Sequence, residues 1–350
     1  MDNDIVKVRV MSYSSIILSI WSRLFNFINL SCFGRIILRQ AITKIEPDII
    51  LFYFIYPTAA FFDTPKFKDK NIVLVPQGVD VQIDKSSNYG FTSNNKIKQI
   101  VKNCMLSAKN VFYMSESMKS SILHILGEDL EELRFVPTAT DVEKISKHKP
   151  NRERLLQSHN ILNTDDVRIL LSVGRNHPKK GFDLIPQLCK KLIEREPNHS
   201  FIWFVIGKDT DQINIPNELK GIIITIDPIG LRPEELSTPP SDLIEYYKAA
   251  DIFCAPTKVE GLSLTFLDVL ASKTVIVSTK CEGVVDIIDH QVSGMLSDVG
   301  DVNAMVENIS TLINNPSLSD RITNNGFDIA LTYDWEFVME KYVDIIEGKR

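Results

Sequence analysis

The chain has 350 residues, of which 44% are hydrophobic and 24% are charged, and its formal net charge at pH 7 is −6. This length is sufficient for two ordinary domains with hydrophobic cores. The negative charge excludes the broad basic surface that binding to a nucleic-acid backbone requires, so nucleic acid is not an expected partner.

The first distinctive segment, residues 16–40, is strongly apolar but is interrupted by three arginines. No run of 18 or more consecutive apolar residues occurs in the chain, so no transmembrane span is predicted. A buried helical hairpin and an interfacial segment in peripheral contact with a membrane both fit the pattern. Aspartates precede the segment and no small-residue cleavage site follows, which argues against a signal peptide. We predict a cytoplasmic protein, with peripheral attachment at the inner face of the membrane as the alternative.

Apolar runs that resemble strands alternate with helical stretches of about 10–15 residues, which is typical of parallel sheets covered by crossover helices. The clearest runs are residues 49–54, 72–76, 167–174 and 201–207. The polar, proline-interrupted stretch 141–164 predicts a domain boundary. A nucleotide would then bind in the cleft between two domains, at the carboxyl ends of the second domain's strands.

Residues 170–181 read LLSVGRNHPKKG, which predicts a strand followed by Gly174-Arg175 and a loop that closes on Lys180-Gly181 before an amphipathic helix. His177 lies within this loop. We interpret it as a solvated loop histidine in preference to a catalytic one.

Residues 250–279 predict a buried strand, a loop carrying Glu260, a helix carrying Asp268 and a second buried strand. Gly261 would let a ligand approach the backbone, and the amides of the residues that follow it start the helix as unpaired donors that attract phosphate. Glu260 and Asp268 are separated by about 12 Å of helical rise, so they would bind opposite ends of a long ligand. The residues that supply those amides are Leu262, Ser263 and Leu264.

The two motifs resemble family 4 of the glycosyltransferases, the retaining enzymes of GT-B fold within glycosyl transferases group 1. The resemblance extends from about Ala41 to the last helix. It implies an α/β fold with two Rossmann-like, doubly wound domains that face a central cleft. The implied limits are residues 1–150 for the acceptor-side domain, 151–334 for the nucleotide-sugar domain, and 335–350 for a helix that crosses back.

The resemblance also implies roles for individual residues. Gly174, Arg175 and Lys180 would belong to the loop that binds and neutralises the donor diphosphate. Glu260 would hold hydroxyls of the sugar, and Asp268, where the family usually has glutamate, would hold the ribose. Fixed cations and helix-end amides suit this chemistry because a departing nucleoside diphosphate gathers negative charge in the transition state.

No cofactor and no metal are expected, because the family that the chain resembles needs none. The sequence Asp209-Thr210-Asp211 spells the D-x-D motif with which transferases of another fold hold a divalent ion. We interpret it here as a solvated acidic turn. The histidines show no paired spacing for zinc.

The first domain departs from the family pattern. Its first glycine is Gly34, so we expect that the usual first strand, glycine-rich loop and helix are missing. Gln77 stands where many relatives have a histidine, and it cannot titrate. The leaving phosphate could take the acceptor proton instead, with Asp80 as a helper.

The five cysteines are scattered singly, and we interpret them as reduced thiols. Cys254 is expected in the core, whereas Cys281 is expected in a loop near the donor site with partial exposure. Neither is a predicted nucleophile.

The main hypothesis is a retaining glycosyltransferase that moves a sugar from a nucleotide-sugar donor to a carbohydrate or lipid-linked acceptor in the assembly of a surface polysaccharide. The alternative is a catalytically inactive member that acts as a scaffold or partner subunit of an active transferase. An epimerase or hydrolase of the same architecture would need a set of catalytic carboxylates or histidines that the sequence does not offer.

Overall fold

The computed structural model describes residues 46–56, 71–127, 130–162, 167–235 and 237–348. The apolar segment 16–40 and the region before Gly34 lie outside these ranges, so the predictions made for them stay predictions. The described chain forms two parallel sheets covered by helices.

The first sheet has four parallel strands in the order β1-β2-β3-β4, and helices join β2 to β3 and β3 to β4. Its central strands are covered on both faces, and Val73, Leu74 and Val75 are fully buried. Asn94 and Ser115 begin the two long helices of this domain, because their side chains accept from backbone N–H groups of the first turn. The elements are β1 (Ile49–Tyr53), β2 (Asn71–Val75), α1 (Gly78–Val81), α2 (Asn95–Ser107), β3 (Asn110–Tyr113), α3 (Glu116–Leu126) and β4 (Leu133–Phe135).

The second sheet has six parallel strands in the order β10-β9-β8-β5-β6-β7. From β5 the chain adds β6 and β7 on one side, then returns to add β8, β9 and β10 on the other. The carboxyl ends of β5 and β8 therefore flank the point where the strand order reverses. The strands are β5 (Val167–Val173), β6 (Ser200–Ile206), β7 (Ile223–Ile226), β8 (Ile252–Ala255), β9 (Val275–Thr279) and β10 (Met295–Ser297).

Helices cover this sheet and connect it to the first one. Their bounds are α4 (Val142–Lys147), α5 (Arg152–Ser158), α6 (Ile185–Arg195), α7 (Ser241–Ala249), α8 (Leu264–Ala271), α9 (Val302–Asn314), α10 (Pro316–Leu331) and α11 (Trp335–Ile346). Helix α11 packs on the first sheet, where Tyr342 meets Phe112 edge to face at 5.1 Å between ring centroids. The domain limits 1–150, 151–334 and 335–350 stay a prediction.

The helices of the described ranges are all too short or too polar to cross a bilayer.

Asp80 joins two strand ends of the first domain. Its carboxylate is fully buried and accepts hydrogen bonds from the backbone N–H groups of Ile55, Tyr56 and Gln77 at 2.9–3.3 Å. Burial raises the pKa of Asp80, although these three donors oppose the rise. All three donors belong to the backbone, so this carboxylate holds the loops that follow β1 and β2 and does not face the cleft as a proton helper.

We predict that Asp80→Ala lowers the free energy of unfolding by about 3 kcal/mol, because one buried and two partly buried backbone N–H groups lose their acceptor. Denaturant titration followed by circular dichroism measures the change. Glu116→Ala is the control, since the Glu116 side chain is 71% exposed. An equal effect in both variants would contradict this role of Asp80.

Candidate functional site

Two loops of the second domain meet at the carboxyl ends of β5 and β8. Lys258 N–H donates to the carbonyl of Lys179 at 2.7 Å, and the Thr257 hydroxyl donates to the same carbonyl at 2.9 Å. Gly181, at φ +65°, makes this approach possible, because a Cβ at this position would lie 1.9 Å from the carbonyl oxygen of Pro256. The side chains of both loops therefore lie close together at the carboxyl ends of β5 and β8.

Glu260 is the centre of a buried charge cluster. Lys180 Nζ donates to Oε1 at 2.5 Å, and Lys179 Nζ donates to Oε2 at 3.3 Å. The Thr257 hydroxyl oxygen lies 3.1 Å from Oε1, so its single proton is shared between this carboxylate and the Lys179 carbonyl. Gly174 makes room for Lys180, because a Cβ on the glycine would lie 3.1 Å from Lys180 Cε. The Glu260 carboxylate, which is 4% exposed, thus accepts hydrogen bonds from two lysines.

In this cluster, burial and ion pairing shift the pKa values of Glu260 and Lys179 in opposite directions. Burial alone would raise the pKa of Glu260, but Lys180 and Lys179 outweigh it and lower that pKa below its ordinary value. Burial lowers the pKa of Lys179, with Glu260 opposing. Burial, Lys179 and Arg175 lower the pKa of His177, which keeps this ring neutral near pH 7. The carboxylate is therefore charged under ordinary conditions.

The cluster opens into a cleft of about 920 Å³ between the two domains. Among the residues that the structure describes, three cations and one carboxylate give the cleft lining a formal charge of +2, within a protein whose net charge is −6. Such a local field suits a diphosphate, because the surrounding low-dielectric walls strengthen the attraction. The second domain contributes Arg175, His177, Lys179, Lys180, Glu260, Gly261 and Leu262, and the first contributes Gln77, Gly78, Tyr89, Phe91, Met114 and Met118 among others.

Other predicted site residues lie outside this lining. Ser263 and Leu264 begin helix α8, and Gly174 lies behind the Lys180 side chain. Asp268 is 4% exposed, and its Oδ1 accepts from the hydroxyl of Thr140 at 2.6 Å. Asp268 therefore contacts the segment that follows β4 in the chain.

The titration of Asp268 gives a testable dependence of stability on pH. Burial raises the pKa of Asp268 from its ordinary value of 3.8 to about 7, with the Thr140 hydrogen bond opposing. Between these values the folded protein holds a proton that the unfolded chain has released, so this group's contribution to stability falls as pH rises through this window.

We therefore predict that Asp268→Asn raises the free energy of unfolding at pH 8 by an amount on the order of a few kcal/mol relative to the unchanged protein. The difference should shrink as pH falls and vanish near pH 4. Urea titrations across pH 4–8 measure it. Asp298→Asn, at a side chain 81% exposed, should show no such trend, and a pH-independent difference for Asp268→Asn would refute the prediction.

Lys179 and Tyr89 are among the cleft residues that sequence reasoning missed. Lys179 precedes Lys180 directly, and the pair of lysines before Gly181 was a signal for it. Tyr89 lies in the first domain with the Lys179 ammonium 4.7 Å from its ring centroid, and no local pattern marks it. Gln77 lines the cleft as well, and its Nε2 donates to the Val75 carbonyl at 3.3 Å.

The cysteines of the described ranges are buried free thiols. The expectation that Cys281 is partly exposed is wrong: it is 7% exposed, and burial raises its pKa to about 12. The loop that holds it turns inward, with Cys281 N–H donating to the Thr279 carbonyl at 3.0 Å.

Asp209 and Asp211 lie in the turn after β6. Within the ranges that the structure describes, no three histidine, cysteine or carboxylate side chains are grouped so that they could hold a metal ion.

Residues 154–328 match the family model described as glycosyl transferases group 1. The match spans half of the chain. The chain therefore belongs to the glycosyl transferases group 1 family. The matched segment contains both loops of the charge cluster, so this group 1 chain carries the cluster within its family region.

Curated relatives of this group 1 chain include an uncharacterized glycosyltransferase of Haemophilus influenzae, which is 27% identical over 180 residues, covering 51% of this chain and 49% of that protein. The capsular polysaccharide biosynthesis glycosyltransferase CapM of Staphylococcus aureus is 25% identical over 224 residues, covering 63% of this chain and 57% of that protein. The chain spans about half the length of these relatives.

Solved structures align over most of the chain. Sucrose-phosphate synthase from Thermosynechococcus elongatus aligns with a TM-score of 0.71 and 16% identity over 89% of this chain and 76% of that one. Anabaena HepE in complex with UDP aligns with a TM-score of 0.72 and 14% identity, covering 89% and 81%. At this identity the likeness concerns the fold alone. It confirms the predicted GT-B architecture, in which two Rossmann-like domains face a cleft.

Proposed function

We propose that the protein is a retaining glycosyltransferase that moves a hexose-type sugar from a nucleotide-sugar donor to a carbohydrate or lipid-linked acceptor. The observation that carries this proposal is the Glu260 carboxylate held by Lys179 and Lys180 in a cleft of formal charge +2. A diphosphate entering this cleft meets a preformed positive field, and sugar hydroxyls meet a charged acceptor beside it.

In the proposed reaction, the bond between the sugar's anomeric carbon and the diphosphate oxygen breaks, and a bond from that carbon to an acceptor hydroxyl oxygen forms on the same face. The acceptor's proton passes to the departing diphosphate. Arg175 and Lys180 stabilise the charge that the diphosphate gains. This route requires no protein base. It is consistent with a cleft where Gln77 cannot titrate and the Asp80 carboxylate accepts hydrogen bonds from the backbone.

Asp268 is the proposed ligand of the donor's ribose. A ribose hydroxyl would replace the Thr140 hydroxyl as the donor to its carboxylate, so nucleotide binding would exchange one hydrogen bond for another of the same chemistry. The proposed amide donors of Gly261, Leu262, Ser263 and Leu264 lie between Glu260 and this residue in the chain, at the start of helix α8.

We infer that the acceptor belongs to a surface polysaccharide, in keeping with the capsular polysaccharide biosynthesis for which the CapM relative is named. The reaction needs no metal in this proposal, because cations of the protein supply the positive charge.

Calorimetric titration with UDP, GDP and ADP tests the proposal, followed by mass spectrometry of donor turnover and NMR of the product's anomeric configuration. We expect one nucleoside diphosphate to bind and its sugar conjugate to be consumed with retention. Binding without turnover against any acceptor would favour the inactive scaffold, and the absence of all binding would reject the donor site.

A further inference from the structure

Tyr89 brings a hydroxyl group from the first domain to the edge of the Glu260 cluster. The Lys179 ammonium lies 4.7 Å from the centroid of the Tyr89 ring and 3.3 Å from Glu260 Oε2, so it links the ring to the carboxylate. This contact uses the face of the ring and leaves the hydroxyl free. Across the described ranges the Tyr89 hydroxyl makes no hydrogen bond to the protein.

The position of Tyr89 is fixed by its backbone. Tyr89 N–H donates to the Asp84 carbonyl at 2.9 Å, and Asp84 N–H donates to the Tyr89 carbonyl at 3.0 Å. The next residue, Gly90, has φ +105° and packs so closely that a Cβ would lie 2.3 Å from the Gln82 carbonyl oxygen. The tyrosine is therefore held toward the cleft by a closed loop, which reduces the entropy lost when it binds a ligand.

Two glycines leave space where this hydroxyl points. A Cβ on Gly78 would lie 2.7 Å from the Tyr89 hydroxyl oxygen, 2.7 Å from Gln82 Oε1 and 3.3 Å from Gly261 Cα. Gln82 is fully buried, and its Oε1 has no hydrogen-bond partner among the described residues. A hydroxyl donor and a carbonyl acceptor thus approach one small region between the domains, and neither is satisfied by the protein.

We propose that Tyr89 is a positioning residue for the sugar of the nucleotide-sugar donor, and that its hydroxyl donates a hydrogen bond to a sugar oxygen held beside Glu260. This inference rests on the proposed function, which assigns the sugar hydroxyls to Glu260. The first domain would then contact the sugar directly through Tyr89, and the sugar would bridge the two domains.

The protonation of Tyr89 agrees with a donor role. Burial raises the pKa of Tyr89, and the negative charges of Glu260 and Asp80 raise it further. The hydroxyl therefore keeps its proton near neutral pH, so it acts as a hydrogen-bond donor and not as a base.

The test compares the affinity for a nucleoside diphosphate with the affinity for its sugar conjugate, without any acceptor. The probes are UDP, GDP and ADP and their glucose, galactose, mannose and N-acetylglucosamine conjugates, titrated calorimetrically. Tyr89→Phe keeps the ring and its contact with Lys179 but removes the hydroxyl. Tyr246→Phe is the matched control, because it removes a hydroxyl that contacts His159 outside the cleft lining.

We expect Tyr89→Phe to reduce the affinity gained from the sugar by about tenfold, while the affinity for the nucleoside diphosphate alone stays within about twofold. Gly78→Ala should reproduce this loss, because its methyl group would displace the Tyr89 hydroxyl. Tyr246→Phe should change neither affinity.

Three results would overturn the inference. An unchanged sugar contribution in Tyr89→Phe would reject it and leave the proposed function standing. An equal loss for the nucleoside diphosphate would place the hydroxyl on the phosphates instead. If the unchanged protein binds none of the probes, the proposed function fails and the inference fails with it.

Discussion

Glu260→Gln should lower the turnover number of sugar transfer by about 10²–10³-fold while the affinity for the nucleoside diphosphate does not fall. Glutamine keeps the size of the side chain but removes the negative charge on which Lys179 and Lys180 converge. The cleft lining then rises in formal charge from +2 to +3. A more positive cleft attracts a diphosphate at least as well, whereas the sugar loses its charged acceptor.

The separation of these two effects distinguishes a role in chemistry from a role in folding. Misfolding would lower nucleotide affinity and turnover together, whereas loss of the sugar contact lowers turnover alone. Steady-state kinetics by mass spectrometry and calorimetry on the same preparations measure both. Glu245→Gln is the control, because Glu245 pairs with His148 outside the cleft lining and its side chain is 22% exposed. Unchanged turnover in Glu260→Gln would reject the proposed role.

Much of the fold could be predicted from the sequence because parallel strands covered on both faces are continuous apolar runs. The run predicted at residues 49–54 corresponds to β1 (Ile49–Tyr53), and the run predicted at residues 167–174 corresponds to β5 (Val167–Val173). Chain order then carries the loops after β5 and β8 to neighbouring positions in one sheet. Arg175, Lys180 and Glu260 were accessible to sequence reasoning for that reason.

The contacts that sequence reasoning missed join residues that are distant in the chain. Thr140 and Asp268 are 128 positions apart, and Asp80 accepts from Ile55 and Tyr56, which are 25 and 24 positions away. Tyr89 faces Lys179 only because the two domains close on each other. A carboxylate that holds backbone and one that faces substrate look the same in a sequence, since only their neighbours in space distinguish them.

Lys180→Ala should weaken nucleoside diphosphate binding by about 10–100-fold. Lys180 Nζ lies 2.5 Å from Glu260 Oε1, and its side chain is 16% exposed, so its charge is shielded from solvent and acts at short range. Alanine halves the formal charge of the cleft from +2 to +1. It also leaves Glu260 with Lys179 as its remaining lysine partner. Because less of its charge is then neutralised, the carboxylate repels phosphate more strongly.

Calorimetry with UDP, GDP and ADP measures this change, and Lys280→Ala is the matched control, because Lys280 pairs with Asp298 at the surface and is 51% exposed. Equal losses in the two variants would show that overall charge, and not position, governs binding. The double variant Lys180→Ala/Glu260→Gln adds a second requirement, since the two side chains are in contact and their effects should not be additive. Removing the Glu260 charge should recover part of the affinity that Lys180→Ala loses, because the phosphates then no longer face a carboxylate with one lysine partner.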